Sequence, residues 1–152
     1  MSFLDGVPNV TLKKGREAPV KRKHPWIFSG SVAQVSGGPE VGALVAVRSS
    51  RGDFLAWGHY SPRSKIRVRL VSWQPDVDPE SPDFWRSCIQ RAVTFRENLI
   101  AGEETTAYRV IHAESDGIPG LFVDRYGEIL IVQYLTAGST ARQELFNELL
   151  WD

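Results

Sequence analysis

The sequence is poor in residues that carry chemistry: it has one cysteine and three histidines among 152 residues. The single cysteine, Cys88, excludes an internal disulfide and a cysteine-rich zinc site. No apolar run approaches the roughly 18–20 residues that a membrane-spanning helix needs. The first ten residues also lack the basic and apolar regions of a signal peptide. We therefore expect a cytoplasmic protein that makes no contact with a membrane.

Metal and nucleophile chemistry has little support in this sequence. The histidines His24, His59 and His112 are scattered, with neither HxH nor HxxxH spacing. We expect His59 to be a partly buried strand residue. Cys88 falls on the apolar stripe of a predicted helix, where a thiol packs in the core and stays unreactive. No catalytic residue, metal ligand or cofactor-binding residue is predicted in this chain.

The net charge of zero conceals a division between the two halves of the chain. Residues 1–75 contain twelve Lys/Arg and four Asp/Glu, a net charge of +8. Residues 76–152 contain six Lys/Arg and fourteen Asp/Glu, a net charge of −8. Such asymmetry indicates a half that binds nucleic acid joined to a second element.

The division coincides with "QPDVDPESPD" at residues 74–83, which is too rich in proline and acid for a helix or strand core. We predict one domain over residues 1–74 and a second over residues 75–152. The first contains four alternating or apolar segments separated by turns, "NVTLKK", "GALVAVRS", "DFLAWGHYS" and "KIRVRLVSW". These predict short strands forming a small β pseudo-barrel. The segment "REAPVKRKHPWIFSG" fits none of them and predicts a short helix or turn.

The second domain is predicted to be a small α+β domain. Ser81 and Pro82 begin a helix that ends at Gly102, with an apolar stripe of Phe84, Cys88, Ala92, Phe95 and Leu99. Strands near 108–115 and 120–126, a hairpin turn, the strand "EILIVQYL" and a helix starting after Ser139 or Thr140 come next. The abrupt end at Asp152 indicates a truncated chain.

The stretch "RVIHAESDGIPGLFVDRYG", residues 109–127, allows two interpretations. On a strand over 108–115, His112, Glu114 and Asp116 would share one polar face, as in a small hydrolase or metal-dependent enzyme. In the other interpretation the Asp-Gly and Pro-Gly pairs set a turn, and Tyr126-Gly127 closes a hairpin. The turn accounts for every glycine and proline in the stretch, so we favour it. The role of the three polar residues stays open.

The most informative stretch of the first half is "KRKHPWIFSG" at residues 21–30. Cations can neutralise phosphates, and aromatic or imidazole rings can stack on unpaired bases. The later loop "SPRSK" adds two cations and two hydroxyls, and Arg67 with Arg69 would line an exposed sheet face. In the alternative interpretation, the run is a solvated face and its aromatics belong to the core. The predicted RNA-binding residues are Lys21, Arg22, Lys23, His24, Trp26, Ser61, Arg63, Ser64 and Lys65.

The segments "VTLKKGREAPVKRKHPWIFSGSV" and "FLAWGHYSPRSKIRVRLVS" resemble the PUA domain of class I S-adenosylmethionine-dependent 23S ribosomal RNA cytosine-C5 methyltransferases. "RVIHAESDGIPGLFVDRYG" resembles the motif located after this domain in the same family. The resemblance implies a PUA-like pseudo-barrel that binds structured RNA, with ribosomal RNA as the partner. It also implies a Rossmann methyltransferase domain, with S-adenosylmethionine and a cysteine nucleophile, that is absent from this chain.

Two further hypotheses stay open from the sequence. The chain could be a stand-alone PUA-type RNA-binding module without chemistry, which differs only in the presence or absence of protein beyond Asp152. The opposite charges of the halves also allow a homodimer in which the acidic half of one copy meets the basic half of another. The target nucleotide and the RNA structure are not determined by the sequence.

Overall fold

The computed structural model describes residues 6–151. Residues 1–5 and Asp152, which bear on the signal-peptide and truncation interpretations, lie outside the described residues. The chain divides into two compact units, Met1–Glu80 and Ser81–Asp152. We describe each unit by itself. No helix in the described part is both long and apolar enough to cross a membrane.

The first unit is a six-stranded sheet with one short helix. Its elements are β1 (Asn9–Leu12), α1 (Ala18–Lys21), β2 (Trp26–Phe28), β3 (Val32–Ser36), β4 (Leu44–Arg48), β5 (Phe54–Tyr60) and β6 (Ile66–Ser72). The strand order is β2-β6-β5-β4-β1-β3, and all pairs are antiparallel except β1 with β4. The buried core draws on both ends of this order and on the helix, through Val10, Leu12, Val20, Ile27, Val45, Val47, Ala56, Val68 and Leu70.

The four predicted strands of the first unit are confirmed, but β2 and β3 were missed. β2 has three residues, too few for an alternating pattern to stand out, and it forms by pairing with β6, where Ile27 lies opposite Val68. The predicted helix or turn around it is correct only for Ala18–Lys21. The wrong part of that interpretation reflects long-range pairing that a local pattern does not contain.

The expectation that Arg67 and Arg69 line an exposed sheet face is also wrong. Both side chains are half-buried, while their neighbours Val68 and Leu70 are buried. Alternation along β6 distinguishes two faces of the sheet, but it does not say what covers each face. β6 is an interior strand between β2 and β5, so its residues have neighbours on both sides.

The second unit combines a three-stranded sheet with three helices. Its elements are α2 (Pro82–Leu99), β7 (Ala107–His112), β8 (Leu121–Tyr126), β9 (Ile129–Tyr134), α3 (Ala137–Ala141) and α4 (Gln143–Trp151). The strands form an antiparallel meander in the order β7-β8-β9. The last helix of the sequence prediction is in fact two, and α3 starts earlier than predicted because Thr136 and Ser139 form a capping box.

The start of α2 is predicted correctly, whereas its buried face is not. Ser81 Oγ accepts a hydrogen bond from the backbone N–H of Asp83 at 3.3 Å, and Pro82 occupies the first turn. The buried residues of the helix are Trp85, Cys88, Ile89 and Ala92. The predicted stripe residues Phe95 and Leu99 are instead 57% and 65% exposed.

The buried face of α2 depends on a partner that is distant in the sequence. Trp85 packs edge-on against Phe146 of α4, with ring centroids 5.2 Å apart. Several phases of the helix carry apolar residues, and this contact selects the phase that contains Trp85.

Candidate nucleic-acid interface

The basic run surrounds the C-terminal end of α1. The N–H of Lys23 donates to the carbonyl of Val20 at 2.9 Å, and the N–H of His24 donates to the carbonyl of Pro19 at 3.0 Å. This pair of bonds is a Schellman motif, and Lys23 occupies its left-handed position with φ of 66°. Lys21, Arg22, Lys23 and His24 are all exposed as a result.

Lys23 is held in place, unlike a freely solvated cation. Its ammonium lies 4.9 Å from the centroid of the Trp73 ring, in a cation–π contact. The indole N–H of Trp73 in turn donates to the carbonyl of Val20 at 2.8 Å. One tryptophan therefore anchors both the helix end and the cation that comes after it.

An exposed group of three rings, which we call the aromatic cluster, lies just after the basic run: His24, Trp26 and Phe28. The ring centroids of His24 and Trp26 are 6.0 Å apart, and each lies 6.4 Å from that of Phe28. Trp26 is 37% and Phe28 47% exposed, because alternation along β2 buries only Ile27 between them. The interpretation that these two aromatics belong to the core is therefore wrong.

A local hydrogen bond orients the histidine of the aromatic cluster. The backbone N–H of Trp26 donates to Nδ1 of His24 at 3.2 Å. An accepting Nδ1 in a neutral imidazole leaves the proton on Nε2, so that nitrogen is a donor.

The loop that joins β5 to β6 lies beside the aromatic cluster. Phe28 pairs with Ile66, and the N–H of Ser29 donates to the carbonyl of Lys65 at 2.8 Å. The structure therefore brings the two predicted groups of cations, separated by forty residues, to the same edge strand. Arg63 and Lys65 are exposed in this loop.

The two serines of the loop have structural roles. Ser61 is only 8% exposed, so its hydroxyl is poorly placed to reach a phosphate. Oγ of Ser64 accepts a hydrogen bond from the N–H of Ile66 at 3.1 Å, which closes the turn. The hydroxyl hydrogen of Ser64 remains a possible donor, because this bond uses only an oxygen lone pair.

Two residues of this surface were missed from the sequence, namely Phe28 and Arg16. Phe28 could have been found by its alternation with Trp26 on a strand. Arg16 lies in the turn before α1 and becomes part of the surface only because the chain folds back toward β2. No local pattern would have identified it.

The strand face predicted for His112, Glu114 and Asp116 does not form. β7 ends at His112, and residues Ala113–Asp116 form a 3-10 turn that Gly117 closes with φ of 75°. The turn interpretation of the stretch is confirmed, and the three residues do not share one face of a strand. The cause is the positive φ of 45° at Ala113, which takes the chain out of the sheet direction.

Asp116 instead connects the turn to α2. Nη1 and Nη2 of Arg96 donate to its two carboxylate oxygens at 3.2 and 2.8 Å. The backbone N–H of His112 donates to Oδ2 of the same carboxylate at 2.6 Å. The Asp116 carboxylate therefore joins three parts of the second unit, and its bonding capacity is used within the fold.

A second ion pair joins the first two strands of this sheet. Nε of Arg109 lies 2.8 Å from Oδ1 of Asp124, across the β7–β8 pair. Hydrogen bonding from Arg109 holds the pKa of Asp124 below its ordinary value. The same hydrogen bond raises the pKa of Arg109.

The remaining chemical candidates are parts of the core. Cys88 is buried, and burial raises the pKa of its thiol, which keeps it protonated at neutral pH. His59 is a buried strand residue. In residues 6–151, no group of three or more His, Cys, Asp or Glu is placed to hold a metal ion.

The described residues do not fit S-adenosylmethionine. The glycine-rich loop "SGGPEVG" joins β3 to β4, so the loop leads into a strand and not into the N-terminus of a helix. A nucleotide-type cofactor loop needs that helix for its backbone N–H groups and dipole.

Comparison with known proteins agrees with the strand arrangement of the first unit. Residues 10–73 match the PUA-like domain family. The mixed, curled sheet of the first unit is consistent with that fold, and the RNA-binding candidates all lie within the matched range.

Curated relatives extend the similarity into the second unit. A ribosomal RNA large subunit methyltransferase I from Vibrio cholerae is 39% identical over 143 residues, covering 94% of this chain. The protein of the same description from Shewanella denitrificans is 40% identical over 142 residues, covering 93%. This chain spans only 36% of the length of each.

A solved structure supports the fold of most of the chain. A putative S-adenosylmethionine-dependent methyltransferase from Streptococcus mutans aligns with a TM-score of 0.79 at 18% identity. The alignment covers 93% of this chain and 36% of that protein. At this identity the likeness bears on the fold alone.

Proposed function

We propose that this chain is the RNA-binding N-terminal portion of an S-adenosylmethionine-dependent ribosomal RNA methyltransferase that modifies cytosine at C5. The observation that carries the proposal is the exposed surface along β2, where cations flank the aromatic cluster. Cations supply the salt-dependent affinity for phosphates, and exposed rings supply contacts to bases. In this proposal the partner is structured ribosomal RNA in the cytoplasm.

The similarity to ribosomal RNA methyltransferases supports this choice among RNA-binding functions. It extends through both units at about 40% identity, whereas the PUA-like match is confined to residues 10–73. Methyl transfer would be the task of chain outside these 152 residues, because the described residues do not fit the cofactor. We therefore expect the present chain to bind RNA without catalysing methylation, and the two domains to divide near Gln74.

The second candidate function is a stand-alone PUA-type RNA-binding module. The same surface supports it, and the reading frame beyond Asp152 distinguishes the two. A homodimer is a separate proposal, which sedimentation at low and high salt tests, because attraction between oppositely charged halves weakens with salt.

RNA binding is tested by reversing two exposed charges, Lys21→Glu with Lys23→Glu, and titrating a fluorescent RNA hairpin at several salt concentrations. If each lysine contacts one phosphate, the slope of log affinity against log salt should fall by about 1.4–1.8. The control reverses Arg91 and Arg125 of the second unit, which changes the net charge equally. Equal effects of the two pairs would exclude this surface as the RNA site.

Absence of catalysis is tested by calorimetry with S-adenosylmethionine. We expect no heat of binding at cofactor concentrations up to the millimolar range. Tight binding to this chain would overturn the proposal that methyl transfer lies outside it.

A further inference from the structure

A concavity of about 170 Å³ opens beside the aromatic cluster. Its floor is formed by the buried side chains of Leu12, Val20 and Ile27, and its rim by the three rings of the cluster. A protein cavity of about 150 Å³ is large enough to hold a benzene ring. The concavity therefore accommodates one planar ring, with its open side toward solvent.

The geometry of the aromatic cluster favours a flat ligand that stacks on one ring. The Trp26 plane makes angles of 80° with His24 and 88° with Phe28. No two of these planes are parallel, so the cluster offers the face of one ring and the edges of its neighbours. A planar heterocycle gains both offset stacking and edge-to-face contacts in this arrangement.

Polar groups at the concavity match the edge of a nucleobase. Arg16 and Ser31 both line it. Within residues 6–151, the structure records no hydrogen bond or ion pair for the Arg16 guanidinium, so its N–H groups are available as donors. Nucleobases present carbonyl and ring-nitrogen acceptors on their edges, which suits such donors.

The charges around the concavity select an anionic ligand. The basic run of residues 21–23 is exposed on one side, and Lys65 is exposed on the other, next to Phe28. A neutral apolar ligand would gain nothing from these cations, whereas the phosphates on either side of an inserted base would neutralise them.

We propose that this concavity binds a single unpaired base of the RNA, stacked on the aromatic cluster, with the flanking phosphates on the basic run and Lys65. This inference rests on the proposed RNA binding. The base must be unpaired, because bases within an A-form duplex are stacked and their edges face a groove too narrow for side chains.

Two RNAs of equal length test the inference with the full 152-residue chain: a hairpin with an unpaired loop and a blunt duplex. Trp26→Ala and Phe28→Ala should each weaken binding of the hairpin by about 5- to 150-fold, the range for losing one base–aromatic stack. Binding of the duplex should stay unchanged. Phe95→Ala, which removes an exposed phenylalanine from α2, is the matched control and should affect neither RNA.

A crosslink on the unmodified protein tests the base site even if a variant misfolds. Hairpin loops carrying 4-thiouridine should crosslink under ultraviolet light to the tryptic peptide of residues 24–48, which contains the aromatic cluster. Crosslinks confined to other peptides, or equal losses for hairpin and duplex, would overturn the base site and leave RNA binding standing. Failure of the unmodified chain to bind either RNA at low salt would overturn both proposals.

Discussion

Replacing Asp116 with alanine should destabilise the second unit severely, because this carboxylate joins α2, the end of β7 and the 3-10 turn. The change removes both hydrogen bonds from Arg96 and the bond from the His112 N–H. The side chains of the ion pair are only 13% and 10% exposed, so the guanidinium would be left largely buried without its counter-charge.

The size of the effect is set by these contacts. Breaking a buried ion pair by removing one partner costs about 3–5 kcal/mol. Because the guanidinium of Arg96 also donates to the carbonyl of Arg109 at 3.1 Å, it keeps part of its stabilisation. We therefore expect Asp116→Ala to lower the free energy of unfolding by about 3 kcal/mol. Asp116→Asn, which keeps one acceptor oxygen but loses the charge, should cost roughly half as much.

Urea unfolding combined with hydrogen exchange is the appropriate assay. A chain of two units need not unfold in one step, so exchange in the peptides of β7 and β8 reports the affected unit directly. Glu97→Ala is the control, since it removes an exposed carboxylate from the neighbouring position of the same helix. If Asp116→Ala and Glu97→Ala have the same urea midpoint and exchange rates, the structural role assigned to Asp116 is refuted.

Lys23→Gly should leave urea stability within about 1 kcal/mol, because relief of the left-handed backbone offsets the lost cation–π contact, yet lower the salt slope of RNA binding by about 0.7–0.9; an unchanged slope would exclude a phosphate contact. Cys88 should resist labelling by a thiol reagent at neutral pH until denaturant is added, and rapid labelling of the folded chain would contradict its burial. The Asp124 carboxylate should titrate by NMR below its ordinary pKa of 3.8. The stability from its pair is therefore full above that value and is lost as the pH falls through the lower, folded pKa. Arg109→Gln should move the titration of Asp124 upward.

The sequence by itself determined the features that depend on a few consecutive residues. Ser81 and Pro82 mark the start of α2, because a serine oxygen caps the free N–H groups and proline has none to offer. The Asp-Gly and Pro-Gly pairs mark the turn after β7, since glycine permits the positive φ seen at Gly117 and Gly120. The division of charge likewise needs no structure and first indicated where RNA would bind.

Only the tertiary structure decided which faces and partners these elements use. Alternation on β2 exposes Trp26 and Phe28 because the strand pairs with β6, forty residues away. The carboxylate of Asp116 meets Arg96 across twenty residues, which turned a suspected polar face into part of the folded framework. Contact between Trp85 and Phe146 chose the buried phase of α2. Local sequence encodes backbone preferences and turn chemistry, whereas burial depends on which distant surface arrives, and that is settled only when the whole chain packs.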